Sequence, residues 1–157
     1  MLEAYELAAD AFTSTAQERA LEPLSWWEAR IASPAGLSAA FGAFDAGLLV
    51  GTVALEYSAK PKTRHAALLI GMYVRPAHRR CGAGRALMQA ALSAAAARAG
   101  LQIVHLTVTE GNQAAIDLYS SLGFVAWGTE PCAIRTQAGF SGKVHMSMRL
   151  PGASAPD

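Results

Sequence analysis

The chain has 157 residues, of which 52% are hydrophobic and 16% charged, with a formal net charge of +1. This composition is too apolar for a disordered chain, and the length suits one domain with a hydrophobic core. The small net charge gives no reason to expect nucleic acid as a partner. Apolar stretches are too short to span a bilayer and no signal peptide is visible, so we expect a cytoplasmic protein without a membrane partner. Cys81 and Cys132 lack metal-ligand spacing, so no metal is expected.

The N-terminal third is predicted to contain helices followed by an antiparallel hairpin. Leu2, Tyr5, Ala9 and Phe12 have helical spacing, and two capping boxes, Thr15-x-x-Glu18 and Ser25-x-x-Glu28, each predict the start of a further helix. The strands are predicted at 40–45 and 48–57 around an Asp45-Ala46-Gly47 turn, and at 65–74, where Arg75-Pro76 ends the third strand.

The second half is predicted to alternate helices and strands before a terminal hairpin. An apolar stripe predicts a helix over about 83–99, with Gly100 as its C-terminal cap. Further elements are a buried strand at 101–109, a helix at 112–122 closed by Gly123, strands at 124–128, 132–136 and 143–150, and a frayed tail at 151–157. The fold class is therefore α+β, with one domain over 1–150 and a mixed sheet flanked by helices.

A basic glycine loop follows the third strand and opens the long helix. It reads Arg79-Arg80-Cys81-Gly82-Ala83-Gly84, and Arg85 follows. Glycines let a backbone approach a ligand closely, and the N–H groups and dipole of a helix start favour an anion. The loop therefore predicts a phosphate site, to which Arg79, Arg80 and Arg85 add positive charge.

Two common phosphate loops do not fit this segment. A P-loop needs four residues between its glycines and then Lys-Ser/Thr, which the chain lacks. The dinucleotide fingerprint needs a third glycine where Leu87 stands and an acidic residue about 20 positions further on, where Gln102 and Ile103 lie instead.

A third pattern matches. Arg79-x-x-Gly82-x-Gly84 after a strand resembles the Arg/Gln-x-x-Gly-x-Gly/Ala signature of the GNAT superfamily, the Gcn5-related N-acetyltransferases. A second block, Asn112-x-x-Ala115-x-x-Leu118-Tyr119-x-x-Leu122-Gly123-Phe124, stands at the distance that this family shows. The resemblance covers roughly residues 40–150. Family members usually start with a strand, whereas this sequence is expected to start in the helix that follows it, so the first strand is either absent or outside the given sequence. Arg80 replaces a common glycine.

The resemblance implies acetyl-CoA as co-substrate and assigns residues to it. The pyrophosphate is expected on the amides of Arg80, Cys81, Gly82, Ala83, Gly84 and Arg85, with Arg79 assisting. Met72, Tyr73 and Val74 are expected at the edge of a parallel pair of strands that splay apart, with free amides for the pantetheine arm. One of these amides could polarise the thioester carbonyl as an oxyanion hole does. A normally paired strand is the alternative.

Two residues of the second block have two interpretations each. Asn112 is a good helix cap and also a possible pantetheine ligand. In the family, a tyrosine in the Leu-Tyr-x-x-x-Gly-Phe context is the general acid, which implies that Tyr119 protonates the leaving thiolate. The other interpretation makes Tyr119 a core aromatic residue. The general base is not identified, and Glu56, His65 and Glu110 are the candidates.

Two functions from different classes remain. The first is an N-acetyltransferase that moves acetyl from acetyl-CoA to a primary amine of a small molecule or peptide in a ternary complex. The second is a non-catalytic acyl-CoA-binding or sensing module on the same fold. A homodimer through the terminal hairpin is possible, and no motif identifies the acceptor.

Overall fold

The computed structural model describes residues 1–152, so the predicted tail lies outside the described residues from 153 onward. The described elements, in chain order, are α1 (Leu2–Leu7), a 3-10 helix (Ala9–Ala11), α2 (Ala16–Ala20), α3 (Leu24–Ile31), β1 (Ser38–Asp45), β2 (Leu48–Tyr57), β3 (Ala66–Val74), a 3-10 helix (Pro76–His78), α4 (Ala83–Ala97), β4 (Ile103–Thr109), α5 (Gln113–Ser121), β5 (Val125–Thr136) and β6 (Gly139–Arg149). None of these helices is long and apolar enough to cross a membrane.

The six strands form one sheet in the order β1-β2-β3-β4-β6-β5. The pairs β1–β2, β2–β3 and β5–β6 are antiparallel, whereas β3 and β4 are parallel neighbours. This confirms the predicted α+β class with a mixed, mostly antiparallel sheet. The splay of the parallel pair stays a prediction.

By the density of its internal contacts the chain divides into two compact units. Unit A contains residues 23–104 and 149–152. In it, α4 packs on β1, β2 and β3. Leu55 of β2 and Met88 and Ala91 of α4 are completely buried, because the apolar stripe of the helix faces the sheet.

Unit B contains residues 1–22 and 105–148. Its core combines Leu106 of β4, Tyr119 of α5 and Met146 of β6, all at most 6% exposed. Helix α2 begins with the predicted capping box, since Thr15 and Glu18 each accept the other's backbone N–H. The single domain predicted over 1–150 stays a prediction.

Three local predictions are wrong. Helix α3 begins at Leu24, because Pro23 holds an extended conformation immediately before it, so Ser25 lies inside the helix and caps nothing. Helix α4 ends at Ala97 with the extended Arg98 as its C-cap, so Gly100, at a φ of 78°, lies in the following turn. The strands predicted at 124–128 and 132–136 form one strand, β5, because a bulge absorbs the irregular segment between them.

Candidate active site

The donor loop, defined as Arg79–Gly84, has an anion-binding backbone. Arg80 has a φ of 61° and Gly82 a φ of 88°, so two left-handed residues stand one residue apart. Left-handed residues in such a turn direct neighbouring N–H groups toward a common point, where an anion can bind. Gly82 is the N-cap of α4, and no side chain of the described residues caps the first turn. The free N–H groups at this helix start therefore suit phosphate oxygens.

Arg79 braces the donor loop from within. Its Nε donates to the backbone oxygen of Val74 at 2.9 Å, and its guanidinium carbon lies 5.9 Å from the centre of the Tyr73 ring. Arg79, which the sequence assigned to phosphate binding, therefore holds the loop to the end of β3. Arg80 and Arg85 are exposed.

A second brace fixes the turn before the loop. Nε2 of His78 lies 3.3 Å from Oδ2 of Asp45, which ends β1. Sγ of Cys81 donates to the backbone oxygen of His78 at 2.7 Å. This contact gives Cys81 a structural role in the loop.

The end of β3 is irregular at the position where the sequence predicts an accessible amide. In the β2–β3 register, Ala54 opposes Ile70 and Thr52 opposes Tyr73, so β3 carries one extra residue. Gly71 has a φ of 63° in this bulge, and its oxygen accepts a hydrogen bond from Oγ1 of Thr52 at 3.0 Å. The bulge changes the direction of β3, and the pairing with β2 resumes at Tyr73 and Val74, so an accessible amide at Met72–Val74 stays a prediction.

Asn112 stands at the predicted N-cap of α5, yet its side chain makes no capping hydrogen bond within the described residues. The backbone oxygen of Asn112 accepts from Ala115 and Ile116, both at 3.1 Å. The cap position is thus correct and the side-chain cap is absent. The side-chain amide of Asn112 is therefore not used as a cap, as the interpretation of Asn112 as a pantetheine ligand requires.

Tyr119 lies in the core of unit B, 6% exposed, with its ring 6.1 Å from that of Phe124. Burial raises the pKa of Tyr119 to about 12, because the surroundings disfavour a phenolate. The phenol therefore keeps its proton across the physiological pH range. Both interpretations of the sequence, core packing and a proton-bearing group, fit this position.

The sequence matches the model of the acetyltransferase (GNAT) family over residues 1–124. The chain belongs to this family. Its membership confirms the resemblance drawn from the two sequence blocks and makes acetyl transfer the class of activity. No curated protein sequence matches the chain.

Solved structures confirm the GNAT fold. An acetyltransferase of the GNAT family from Streptococcus pneumoniae is 27% identical, with 73% of this chain and 68% of that chain covered, at a TM-score of 0.69. A Salmonella typhimurium protein solved with its cofactor acetyl-CoA is 24% identical, with 99% and 90% covered, at 0.78. A ribosomal-protein-alanine N-acetyltransferase from Brucella melitensis is 24% identical, with 95% and 91% covered, at 0.77.

The candidate bases differ in their surroundings. Glu56 of β2, in unit A, lies 3.0 Å from Nη1 of Arg30, which also stands over the Trp26 ring at 4.6 Å. Glu110 follows β4 in unit B, is exposed, and makes no ion pair with a described residue. His65 is exposed, and its backbone oxygen binds the N–H groups of Gln102 and Ile103.

Within unit B, the N-terminal segment contacts the strands close to Glu110. Thr109 is buried, and its Oγ1 donates to the backbone oxygen of Asp10 at 2.6 Å. Nζ of Lys143 donates to Oγ1 of Thr13 at 2.5 Å, and burial lowers the pKa of Lys143. Residues 10–13 thus lie against the end of β4 and against Lys143 inside β6.

The predicted site residues fall into two groups. Unit A brings together Met72, Tyr73, Val74, Arg79, Arg80, Cys81, Gly82, Ala83, Gly84 and Arg85, and also holds Glu56. Unit B holds Glu110, Asn112 and Tyr119. Sequence reasoning missed the contact of Asp45 with His78 and the position of the Glu110 carboxylate, which lies 2.7 Å from where a Cβ of Gly142 would stand. A glycine inside a strand, such as Gly142, is the one available signal for a close approach.

Proposed function

We propose that this GNAT protein transfers the acetyl group of acetyl-CoA to a primary amine of a small molecule or peptide. The observation that carries the proposal is the donor loop, in which left-handed Arg80 and Gly82 precede a helix start without a side-chain cap. Such a backbone binds the pyrophosphate of CoA through N–H groups, and Arg80 and Arg85 add charge at its rim.

The thioester carbonyl becomes more electrophilic when an N–H group binds its oxygen. In this proposal a backbone amide of Met72–Val74, beyond the Gly71 bulge, supplies that N–H group. Fixed donors stabilise the oxyanion that forms on attack without reorganising, and removing one such donor costs about 100-fold or more in kcat.

Tyr119 assists the departure of the sulfur. With a pKa of about 12 it is a weaker acid than a thiol of ordinary pKa, about 8.5, so complete transfer of its proton to free thiolate runs uphill. It hydrogen-bonds the developing thiolate and passes its proton to the sulfur only as it receives a proton from the attacking nitrogen, so no free phenolate forms. This refines the role of general acid without removing it.

Acetyl passes directly to the amine in a ternary complex. Cys81 lies in the donor loop, and its S–H group donates a hydrogen bond to the backbone oxygen of His78. In this proposal Cys81 has no covalent role and no base activates it. Catalysis therefore rests on orientation, polarisation of the carbonyl and proton movement. The fold serves more than one acceptor, since its neighbours bear names of ribosomal-protein-alanine and phosphinothricin acetyltransferases.

The test is release of the CoA thiol from acetyl-CoA in the presence of amino acids, polyamines, aminoglycosides and peptides, each compared with a reaction without amine. We expect amine-dependent release with at least one class, together with the acetylated amine in the mass spectrum. Tight binding of CoA without amine-dependent release across the panel would instead support the acyl-CoA-binding module.

A further inference from the structure

Three strands of unit B meet at Glu110. Its backbone N–H donates to the oxygen of Gly142 in β6 at 2.9 Å. A Cβ built on Gly142 would lie 2.7 Å from Oε2 of Glu110, 3.0 Å from the backbone oxygen of Glu130 and 3.1 Å from Cγ2 of Thr129. The φ of Gly142 is not in the left-handed region. Gly142 is therefore needed for space, and the space is occupied by the Glu110 carboxylate.

The partner strand is interrupted at the same place. Glu130 opposes Lys143 and Ile134 opposes Ser141, so Pro131–Ala133 of β5 stand opposite Gly142 alone. Cys132 in this bulge has a φ of 53°, a left-handed conformation that is strained for a residue other than glycine. Strained residues and bulges concentrate at functional sites, where they direct side chains. We call Glu110, Gly142 and Pro131–Ala133 the Glu110 corner.

Two other carboxylates, one in each unit, have partners. Glu56 is paired with Arg30 at 3.0 Å, and Glu130 lies 3.3 Å from Nε2 of His145. A carboxylate held by such a partner must leave that contact before it can receive a proton from a substrate. Glu110 has no such pair within residues 1–152, and its carboxylate lies in the space that the missing side chain of Gly142 leaves open.

From this geometry we propose that Glu110 accepts the proton of the acceptor ammonium and that Gly142 is the residue that positions it. The inference rests on the proposed acetyl transfer. Glu110 takes one proton from the ammonium, which frees the nitrogen lone pair. The C–N bond forms, the C–S bond breaks, and the second nitrogen proton goes to the sulfur through the Tyr119 hydroxyl. Glu110 then releases its proton to water, so the products are the amide, the CoA thiol and one proton.

The experiment is a double-mutant cycle with Glu110→Gln, Gly142→Ala and the combined variant. The assay is thiol release from acetyl-CoA with whichever amine of the panel above the wild type turns over fastest. Gly128→Ala is the matched control, because Gly128 lies in β5 of the same hairpin, has no left-handed φ, and a Cβ at this position would have no other atom within 4 Å. Binding of acetyl-CoA and thermal stability are measured for each protein.

We expect Glu110→Gln to lower kcat by about 100-fold, the usual contribution of a positioned base. Gly142→Ala should lower kcat by roughly tenfold, because it displaces the carboxylate. Acetyl-CoA affinity should stay unchanged in both, and Gly128→Ala should match the wild type. The combined variant should equal Glu110→Gln, since a positioning residue has no effect once the base is gone.

Two results would overturn the inference. One is a combined variant slower than Glu110→Gln by the full Gly142→Ala factor, which is the behaviour of a purely structural defect. The other is a Glu110→Gln variant within twofold of the wild type, and this arm holds even where Gly142→Ala fails to fold. A wild type without amine-dependent turnover overturns both the proposed function and this inference, whereas wild-type turnover with an unaffected Glu110→Gln overturns the inference alone.

Discussion

The donor loop and the Glu110 corner differ in whether backbone groups or a side chain would act on the ligand. In the proposed site the donor loop binds through its backbone, which the side chains of Arg79 and His78 brace. At the Glu110 corner we propose that one side chain carries the chemistry, and Gly142 makes room for it. A backbone site constrains residue types at fixed spacing, whereas a side-chain site depends on contacts between distant residues. The first therefore appears as a motif in the sequence, and the second does not.

Tyr119 gives the largest expected effect and tests the side-chain half of this comparison. Tyr119→Phe keeps the packing against Phe124 and removes the hydroxyl, so kcat should fall by about 100-fold or more. The dissociation constant of acetyl-CoA should hardly change, because unit A forms the donor loop. Thiol-release kinetics and calorimetric titration measure the two quantities. Tyr5→Phe, at another buried tyrosine of unit B, is the control. Equal kcat in the Tyr119→Phe variant and the wild type would remove the tyrosine from the mechanism.

The same variant tests whether Tyr119 is protonated in the folded protein. Its folded pKa, about 12, is raised above the ordinary value of 10.0, so its stabilising contribution is complete below pH 10 and is lost as the pH rises through 12. The full loss is about 3 kcal/mol in the free energy of unfolding. The free energy of unfolding is measured with denaturant from about pH 8.5 to about pH 11. It should fall more steeply with pH for the wild type than for Tyr119→Phe. Parallel declines would mean that the phenol ionises as easily in the folded chain as in the unfolded chain.

Gly82→Ala tests the backbone half of the comparison. At a φ of 88° an alanine costs about 1–2 kcal/mol, and the loop can relieve it only by turning N–H groups away from the anion. We expect acetyl-CoA affinity to fall roughly tenfold, which corresponds to about 1.4 kcal/mol. Gly36→Ala carries the same backbone cost, at a φ of 66° with open space around it, outside the donor loop. It should lower stability and leave affinity alone. Equal affinity in both variants would show that the loop conformation is not used for binding.

Arg80→Gly gives the smallest expected effect, with opposite signs for stability and binding. Glycine relieves the left-handed strain at a φ of 61°, so the free energy of unfolding should rise by about 1 kcal/mol. Acetyl-CoA affinity should fall several-fold, because one cation leaves the phosphate site. Cys132→Gly relieves a comparable strain at the Glu110 corner and should stabilise without affecting affinity. Arg80→Gly with unchanged affinity would leave no ligand-related reason for the strained arginine.

The predictability of each region follows from the range of the interactions that build it. The hairpin turn Asp45-Ala46-Gly47 and the α2 capping box are local, so sequence spacing predicts both correctly. The donor loop is local as well, and its glycines reveal it. The position of Tyr119 follows from its motif, whereas its raised pKa follows from burial.

The remaining features depend on contacts between residues far apart in the chain. The pairing of Glu56 with Arg30 joins β2 to α3, and the contact of Glu110 with Gly142 joins residues 32 positions apart in sequence. No periodicity or spacing encodes such a pair. Bulges in β3 and β5 likewise depend on the register with a neighbouring strand, which no local sequence pattern determines.

The most direct test of acetyl transfer follows the acetyl group itself. Acetyl-CoA labelled in its acetyl carbons is incubated with the wild-type protein and the fastest amine of the panel, and thiol release, labelled product and labelled protein are measured together. We predict one labelled amide for each thiol released, no label on Cys81 or any other protein residue, and no thiol release without amine. Label in free acetate, label held by the protein, or CoA binding without any acetylated amine would contradict the account.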